Sequence, residues 1–572
     1  MVDLHPAPAA APDLRTTPPP VRRTTPSPGL TPAARLRERL APQAGRRRVP
    51  GSVPVFLLTC VVGAAASVYT VRAGTNLDYG DAMAHLTIAR RVIDSKAPGL
   101  AQLGTVWLPL PHLLLMPFVQ NMWLFRTGVA GCLVSTLCLA ASTTAMWRIT
   151  ARLALGLTAR VVALVLLVAN PSLLYVSTTA LTEPVLLAAM LATIAGLAGW
   201  VHSPRQLSGG ELAVFAGLPA AAGVLTRYEA WPLVLSAMIV VVAASLRRGH
   251  SWRRAAGYAL AFASPGIIAA AWWLAYNMAT YGNPLEFLSG QYSAAAFTEV
   301  FIDKGQLTTK GNLGLSFAVL GWALVETAGL ALLIPAGIGL LLMTWHWGLD
   351  NRSLVVWTAA SSTAFLLFSL TTGQHIMVND QSLPAGAYNN RYVLSTLPWL
   401  ALLAGIGVHL LVRRLSRLWL PLLLACAVAV TAQNLWWTER PGERMTVIEE
   451  AQDQHSAYAR VKAAGEWLRT HYDGGGILMD QTPDKSSIAP VLGLRIDEFF
   501  TRASGDVFDE AIADPYSHAR WVFMHRTEVT DSATETGIDL VTEELMPDPQ
   551  FHARYRLVYA ISDLGIYRRI TP

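Results

Sequence analysis

The chain has 572 residues, of which 53% are hydrophobic and only 14% are charged. A typical soluble domain carries about 25% charged residues, so this composition excludes an ordinary soluble globular protein. The formal net charge of +6 conceals three different regions: residues 1–50 carry a net +6, residues 438–572 a net −9, and the long stretch between them only twelve acids. This middle stretch is predicted to lie in a membrane, and no nucleic-acid partner is expected.

The first 50 residues are rich in proline and arginine. They contain eleven Pro and nine Arg and almost no aromatic or β-branched apolar residues. Such a segment buries too little apolar surface to offset the entropy of ordering it, so residues 1–50 are predicted to be a disordered tail. Its length and proline content do not suit a cleavable signal peptide. The apolar run that follows is therefore a retained first span, and the positive-inside rule places the tail in the cytoplasm.

Residues 51–437 contain the predicted membrane spans. A span needs about 20 apolar residues, and eleven runs qualify: near 53–71, 127–147, 153–169, 185–201, 212–226, 229–246, 255–276, 320–343, 354–371, 392–412 and 418–437. Arginines test the orientation independently, since Arg247 and Arg248 follow the sixth run and Arg413 and Arg414 the tenth. Even-numbered spans then end in the cytoplasm, and an odd total places the C-terminus outside.

Residues 438–572 are predicted to form a small extracytoplasmic α/β domain. Residues 457–470 have helical spacing, and residues 477–480, 520–524 and 555–561 read as strands. The predicted fold class is thus an all-α polytopic membrane protein of about eleven transmembrane helices, with its N-terminus inside and its C-terminus outside, followed by this small α/β domain.

Acidic residues in the membrane region carry the functional information. Ten of the twelve fall on the predicted outer side. Ionisable groups near a bilayer are costly and usually functional, which predicts a site on that face. Loop solvation is the alternative interpretation, and it is weakest for Asp81, Glu183 and Arg227, which stand immediately beside apolar runs.

The first outer loop carries a second pattern. If the stretch from Asp81 is helical, Asp81 and His85 are four residues apart and share a face. That spacing suits a base and its partner or half of a metal site. A loop helix with one ion pair is the alternative.

Four short motifs together resemble one family. They are Asp81 with Ala89-Arg90, Leu181-Thr-Glu183-Pro184, Leu225-Thr-Arg227-Tyr-Glu-Ala-Trp231-Pro232, and Asn390-Arg391-Tyr392. Their order, with each motif on the predicted outer face, resembles the GT-C superfamily of membrane glycosyltransferases, including protein O-mannosyltransferases and lipid A aminoarabinose transferases. The resemblance covers roughly residues 53–437. Many relatives carry Asp-Glu where this chain has Asp81-Ala82, and Lys-Pro-Pro-Leu where it has Leu108-Pro-Leu-Pro111.

The resemblance implies a hexosyl- or pentosyltransferase in the plasma membrane that acts on its extracytoplasmic face. The donor would be a sugar on a polyprenyl phosphate, the acceptor a hydroxyl of a lipid, glycan or protein, and the reaction inverting. A divalent metal as cofactor is left open, because some relatives use one and others do not.

The resemblance also implies roles for particular residues. The general base would be Asp81 or Asp78, and Glu183 would orient the base, bind the sugar or ligate a metal. Arginine offers a planar fork that suits phosphate oxygens. The expected donor-binding and assisting residues are Arg227, Arg391, Tyr228, Tyr392, His85 and Glu229.

A transporter or flippase of a lipid-linked sugar is the alternative function. Transporters place polar residues near the bilayer midplane and often contain inverted repeats. This chain places its charges at the predicted outer ends of the spans, and its sequence has no such repeat.

Overall fold

A computed structural model describes residues 49–203, 208–290, 307–481, 487–526 and 539–570, and single residues between them (293, 296, 298, 301, 302, 305 and 485). The chain divides into two compact units, Met1–Ala41 and Pro42–Pro572. The first unit, and with it nearly all of the tail predicted to be disordered, lies outside the described residues. The second unit contains every element discussed below.

The described chain is mostly helical and ends in a small sheet, which confirms the predicted fold class in outline. The longer helices, numbered in chain order, are α1 (Ser52–Ala73), α2 (Gly80–Arg91), α3 (Leu110–Val119), α4 (Val129–Arg152), α5 (Leu157–Val168), α6 (Glu183–Val201), α7 (Gly209–Val224), α8 (Trp231–Arg247), α9 (Trp252–Tyr281), α10 (Leu313–Ala328), α11 (Leu330–Trp347), α12 (Asn351–Thr358), α13 (Ser361–Thr372), α14 (Leu397–Arg414), α15 (Trp419–Glu439), α16 (Thr446–Ala457) and α17 (Ala459–His471).

Eight helices in the described residues are long and apolar enough to cross a membrane: α1, α4, α6, α8, α9, α11, α14 and α15, three of them extended by a 3₁₀ turn at the start. A ninth span results if α12 and α13, which meet at a bend of 43°, are counted together. The shorter apolar helices α5 and α7 lie at the predicted spans near 153–169 and 212–226.

One predicted span is wrong in its extent. The apolar run near 320–343 is divided between α10 and α11, because Gly329 adopts a left-handed conformation with φ of 72° that ends the first helix and begins the second. Glycine adopts such a conformation without the steric cost that a side chain adds. The run is apolar on both sides of the glycine, so hydropathy alone does not reveal the break.

Gly339 is expected to be a sensitive packing position. A Cβ atom there would overlap the carbonyl oxygen of Leu403, because α11 and α14 touch backbone to backbone at Gly339 and Gly407. Gly339→Ala should therefore lower the free energy of unfolding by about 1–3 kcal/mol, since the carbonyl has no rotamer by which to move aside. Gly337→Ala on the same helix is the matched control, because its Cβ would enter open space. Equal thermal unfolding midpoints for the two variants in detergent would contradict this packing.

The C-terminal region, residues 441–570, folds around a five-stranded sheet in the order β2-β1-β3-β5-β4. The strands are β1 (Ile477–Met479), β2 (Phe499–Phe500), β3 (Trp521–His525), β4 (Tyr555–Ile561) and β5 (Leu564–Arg569). β1 is parallel to β2 and β3, whereas β5 is antiparallel to β3 and β4. The three predicted strands are present, and the helix predicted at 457–470 is α17. Strands β2 and β5 were not foreseen.

The C-terminal region contacts the segment between α1 and α4, which contains α2 and α3. The hydroxyl of Tyr79 donates to the carbonyl oxygen of Val447 at 2.7 Å, and the amide of Gln102 donates to the carbonyl of Ala503 at 2.8 Å. Val447 also belongs to the large apolar core of the helix bundle. The loop that begins α2 is therefore enclosed between the bundle and the C-terminal region.

Candidate active site

Arg391 is at the centre of a buried ionic cluster. It lies in the 3₁₀ turn Asn390–Thr396 that leads into α14, and only 3% of its side chain is exposed. Its Nη2 pairs with Asp81, its Nη1 donates to Oε1 of Glu450 at 2.6 Å, and its Nε lies 3.3 Å from Oε1 of Glu183. One guanidinium thus joins carboxylates from α2, α6 and α16.

Arg227 extends the cluster on the other side of Glu183. It occupies the extended residue before the 3₁₀ turn Tyr228–Ala230. Its Nη1 lies 3.1 Å from Oε1 of Glu183 and donates to the Thr182 hydroxyl at 3.0 Å. Its Nε and Nη2 lie 2.9 and 2.7 Å from Oε1 of Glu229. Because both arginines contact the same oxygen of Glu183, that carboxylate bridges them.

One of the two predicted tyrosines, Tyr392, borders both arginines. The guanidinium carbon of Arg227 lies 4.5 Å from the ring centroid of Tyr392, and that of Arg391 lies 5.4 Å from it. Such cation–π contacts are stronger where water is excluded. Tyr228 points into an aromatic group instead, with its ring stacked on Phe287 at 5.3 Å. The arginines therefore lie against the ring of Tyr392, and Arg391 also lies 4.8 Å from the ring centroid of Tyr79.

The four carboxylates of the cluster differ sharply in exposure. The side chain of Asp81 is 39% exposed, whereas Glu183, Glu229 and Glu450 are 1–3% exposed. Buried carboxylates held by arginine are suited to fixing geometry, and an exposed one is free to meet an incoming molecule. Glu183 adds one unusual feature, since its Oε2 is buried without a hydrogen-bond partner.

His85 does not pair with Asp81, although α2 places both on the predicted helix. Its Nδ1 lies 2.9 Å from Nε2 of His112, and its ring lies 4.6 Å from that of Trp107. Burial, with the charges of Arg227 and Arg391 nearby, lowers the pKa of His85 to about 3. The imidazole is therefore neutral at physiological pH and contacts His112 and Trp107 instead of Asp81.

Asp78 lies outside the cluster and contacts the C-terminal region. Its Oδ1 lies 2.5 Å from Nδ1 of His455 and 3.7 Å from the Lys462 ammonium. Burial raises the pKa of this carboxyl group, against the lowering influence of His455. Asp78 thus anchors the loop before α2 to α16 and α17, while Asp81 pairs with Arg391.

Asp78→Asn is expected to separate these two roles. Loss of the charge removes the charged acceptor of His455 and Lys462 but also the burial of a charge that raises the pKa of Asp78, so the free energy of unfolding should change by less than about 1.5 kcal/mol. Any activity that depends on Asp81 and the arginine cluster should change less than about threefold, since that cluster stays intact. Thermal unfolding and initial rates measure the two effects. Normal stability with no activity would identify Asp78 as the reactive carboxylate.

Glu450 is the residue of the cluster that sequence reasoning missed. It lies on α16, on the same face as the buried Thr446, Val447 and Ala451. An acid in an otherwise apolar helical stripe is a recognisable signal, because carboxylates are rarely buried unless they are paired. Its partner Arg391 precedes it by 59 residues, which sequence spacing does not indicate.

A metal centre needs several ligating side chains close together. Among the described residues, no group of three or more His, Cys, Asp or Glu side chains is arranged to hold a metal ion. The carboxylates of the cluster face arginines instead.

The fold is similar to a solved structure of ArnT. It matches the crystal structure of ArnT from Cupriavidus metallidurans bound to undecaprenyl phosphate with a TM-score of 0.51 and 13% identity, over 89% of this chain and 98% of that one. The apo structure of ArnT from the same organism matches with a TM-score of 0.47 and 14% identity, over 85% and 92% of the two chains. No protein-family model matches the chain, and no curated protein matches it in sequence. The chain thus has an ArnT-like fold.

Proposed function

We propose that the protein transfers a sugar from a polyprenyl phosphate to a hydroxyl group of an acceptor. The observation that carries the proposal is the partly exposed carboxylate of Asp81, which pairs with Arg391, while Glu183 bridges Arg391 to Arg227. The ArnT-like fold supports the class of donor, since undecaprenyl phosphate is bound in one of the similar structures.

The proposed reaction is a single displacement with inversion at the anomeric carbon. Asp81 accepts the proton of the acceptor hydroxyl, whose oxygen attacks the anomeric carbon as the bond from that carbon to the phosphate oxygen breaks. Polyprenyl phosphate leaves with the bonding electron pair. A positioned carboxylate base contributes about 10²–10⁴ to the rate of such a step.

The arginines stabilise the charge that develops on the leaving phosphate. Arg227 is the better placed of the two, because 15% of its side chain is exposed compared with 3% for Arg391. Fixed donors aimed at a developing negative charge lower the barrier without reorganising during the reaction. In this proposal Arg227 meets the phosphate beside Tyr392, whereas Arg391 holds Asp81 and Glu183 in place.

The proposed location is the plasma membrane, with the site on the extracytoplasmic face. The arginine-rich connections after the sixth and tenth predicted spans support this orientation through the positive-inside rule. The C-terminal region lies at the same end of the bundle as the site, since its Glu450 pairs with Arg391. If the C-terminal region is extracytoplasmic, the site is therefore extracytoplasmic as well.

The test is turnover of defined donors by the purified protein in lipid. Polyprenyl phosphates bearing radiolabelled mannose, glucose or arabinose are supplied with and without EDTA, and product configuration is read by NMR. We expect label to move from one of these lipids to an acceptor or to water, with an inverted anomeric centre. Binding of donors without chemical change to any of them would contradict the proposal.

A further inference from the structure

A buried carboxylate of the C-terminal region shares an arginine with Asp81. Glu450 has 1% of its side chain exposed. Its Oε1 accepts from Nη1 of Arg391 at 2.6 Å, and its Oε2 accepts from the Tyr79 hydroxyl at 3.3 Å. The other terminal nitrogen of Arg391 pairs with Asp81. Glu450 and Asp81 are therefore coupled through one guanidinium.

The helix that carries Glu450 also holds the residues directly before Asp81. The backbone N–H of Gly80 donates to Oε1 of Gln454 at 2.8 Å, and the amide of Gln454 donates to Oε1 of Glu450 at 3.3 Å. Tyr79 in addition donates to the carbonyl of Val447. The start of α2, where Asp81 lies, is thus fixed by α16 rather than by the membrane helices alone.

We propose that Glu450 is a positioning residue of the transfer reaction, which holds Arg391 from the C-terminal side and so leaves Asp81 free to accept the acceptor's proton. This inference rests on the proposed function. Arg391 contacts three carboxylates. Without the charge on Glu450, its guanidinium would pair more tightly with Asp81 and Glu183. A carboxylate in a tighter ion pair accepts a proton less readily.

The protonation of Glu450 supplies a measurable signature. Burial raises its pKa to about 7, against the lowering influence of Arg391 and of the hydrogen bond from Tyr79. The titratable and charged groups that face it are Arg391, Asp81, Tyr79, Tyr175 and Tyr388. Helix α10 also packs on α16, but its Glu326 faces Glu449. As pH falls through about 7, Glu450 takes up a proton and the transfer rate should fall with it.

The deciding variant is Glu450→Gln, which removes the charge and keeps the shape. Its kcat at about pH 8 should fall about tenfold with the donor KM unchanged within about twofold, because the altered step is proton transfer and not donor binding. The inflection near pH 7 in the wild-type rate should disappear, and Glu450→Asp should restore it. Glu449→Gln, the neighbour on α16, is the control and should keep the wild-type profile.

A wild-type kcat and an unchanged inflection in Glu450→Gln would overturn the inference. If that variant does not fold, Tyr79→Phe decides, since removing this donor raises the pKa of Glu450 and should move the inflection to higher pH. An unmoved inflection would overturn the inference equally. Wild-type protein that transfers no sugar from any donor would contradict the proposed function itself. Transfer whose rate does not depend on Glu450 would contradict only the inference.

Discussion

Asp81→Asn is expected to lower the rate of sugar transfer by a factor of about 10²–10⁴, the usual contribution of a positioned general base. Asparagine has nearly the same shape but does not take up the acceptor's proton. Arg391 keeps Glu183 and Glu450 as partners, so the variant should fold and bind donor as the wild type does. The measurement is the initial rate at saturating donor, with donor binding measured separately.

The matched control for this variant is Asp453→Asn. Asp453 is an exposed acid on α16, and its substitution tests whether any loss of negative charge in this part of the protein slows transfer. It should leave the rate within about twofold of wild type, because exposed charges away from the site couple weakly to it. Full activity in Asp81→Asn would remove Asp81 from the mechanism.

Arg391→Met is expected to have the largest effect on stability. Removing one partner from a buried ionic group costs about 3–5 kcal/mol, because the remaining charges are left uncompensated. Glu450 and Glu183 are the buried carboxylates affected. Unpaired buried carboxylates bind protons more readily in the folded state, so the loss should shrink as pH is lowered from about 8 to about 5.5.

Thermal unfolding at these two pH values measures the effect. Addition of Glu450→Gln to Arg391→Met should recover part of the lost stability, since it removes one of the unpaired charges. Arg440→Met is the control, because the ion pair of Arg440 with Glu443 is about 64% exposed and exposed pairs contribute little. An Arg391→Met variant as stable as wild type would contradict the central place given to this arginine.

The sequence predicts the charged residues that cluster better than it predicts the ends of the helices. Glu183 and Arg227 stand beside apolar runs, and the cost of charge near a bilayer is reason to expect them on one face, whereas Arg391 is expected there from the motif Asn390-Arg391-Tyr392. The structure brings all three together with Asp81. By contrast, the break at Gly329 depends on one backbone conformation within a uniformly apolar run.

Contacts between distant parts of the chain were not predictable in this way. Glu450 lies 371 residues after Tyr79, which it contacts, and His85 pairs with His112 rather than with the acid four residues before it. Helical periodicity states which residues share a face but not which element covers that face. The C-terminal region supplies that cover, and a single sequence does not indicate where it docks.

The most direct test of the central claim is the fate of the bond between sugar and phosphate. Proteoliposomes containing the protein are given a polyprenyl phosphate that carries the labelled sugar accepted in the turnover assay, together with an acceptor extract, and the lipids are separated after incubation. The account predicts free polyprenyl phosphate and labelled acceptor with wild-type protein, and neither with Asp81→Asn. Intact labelled lipid that has only moved to the other leaflet would contradict it and would establish a flippase.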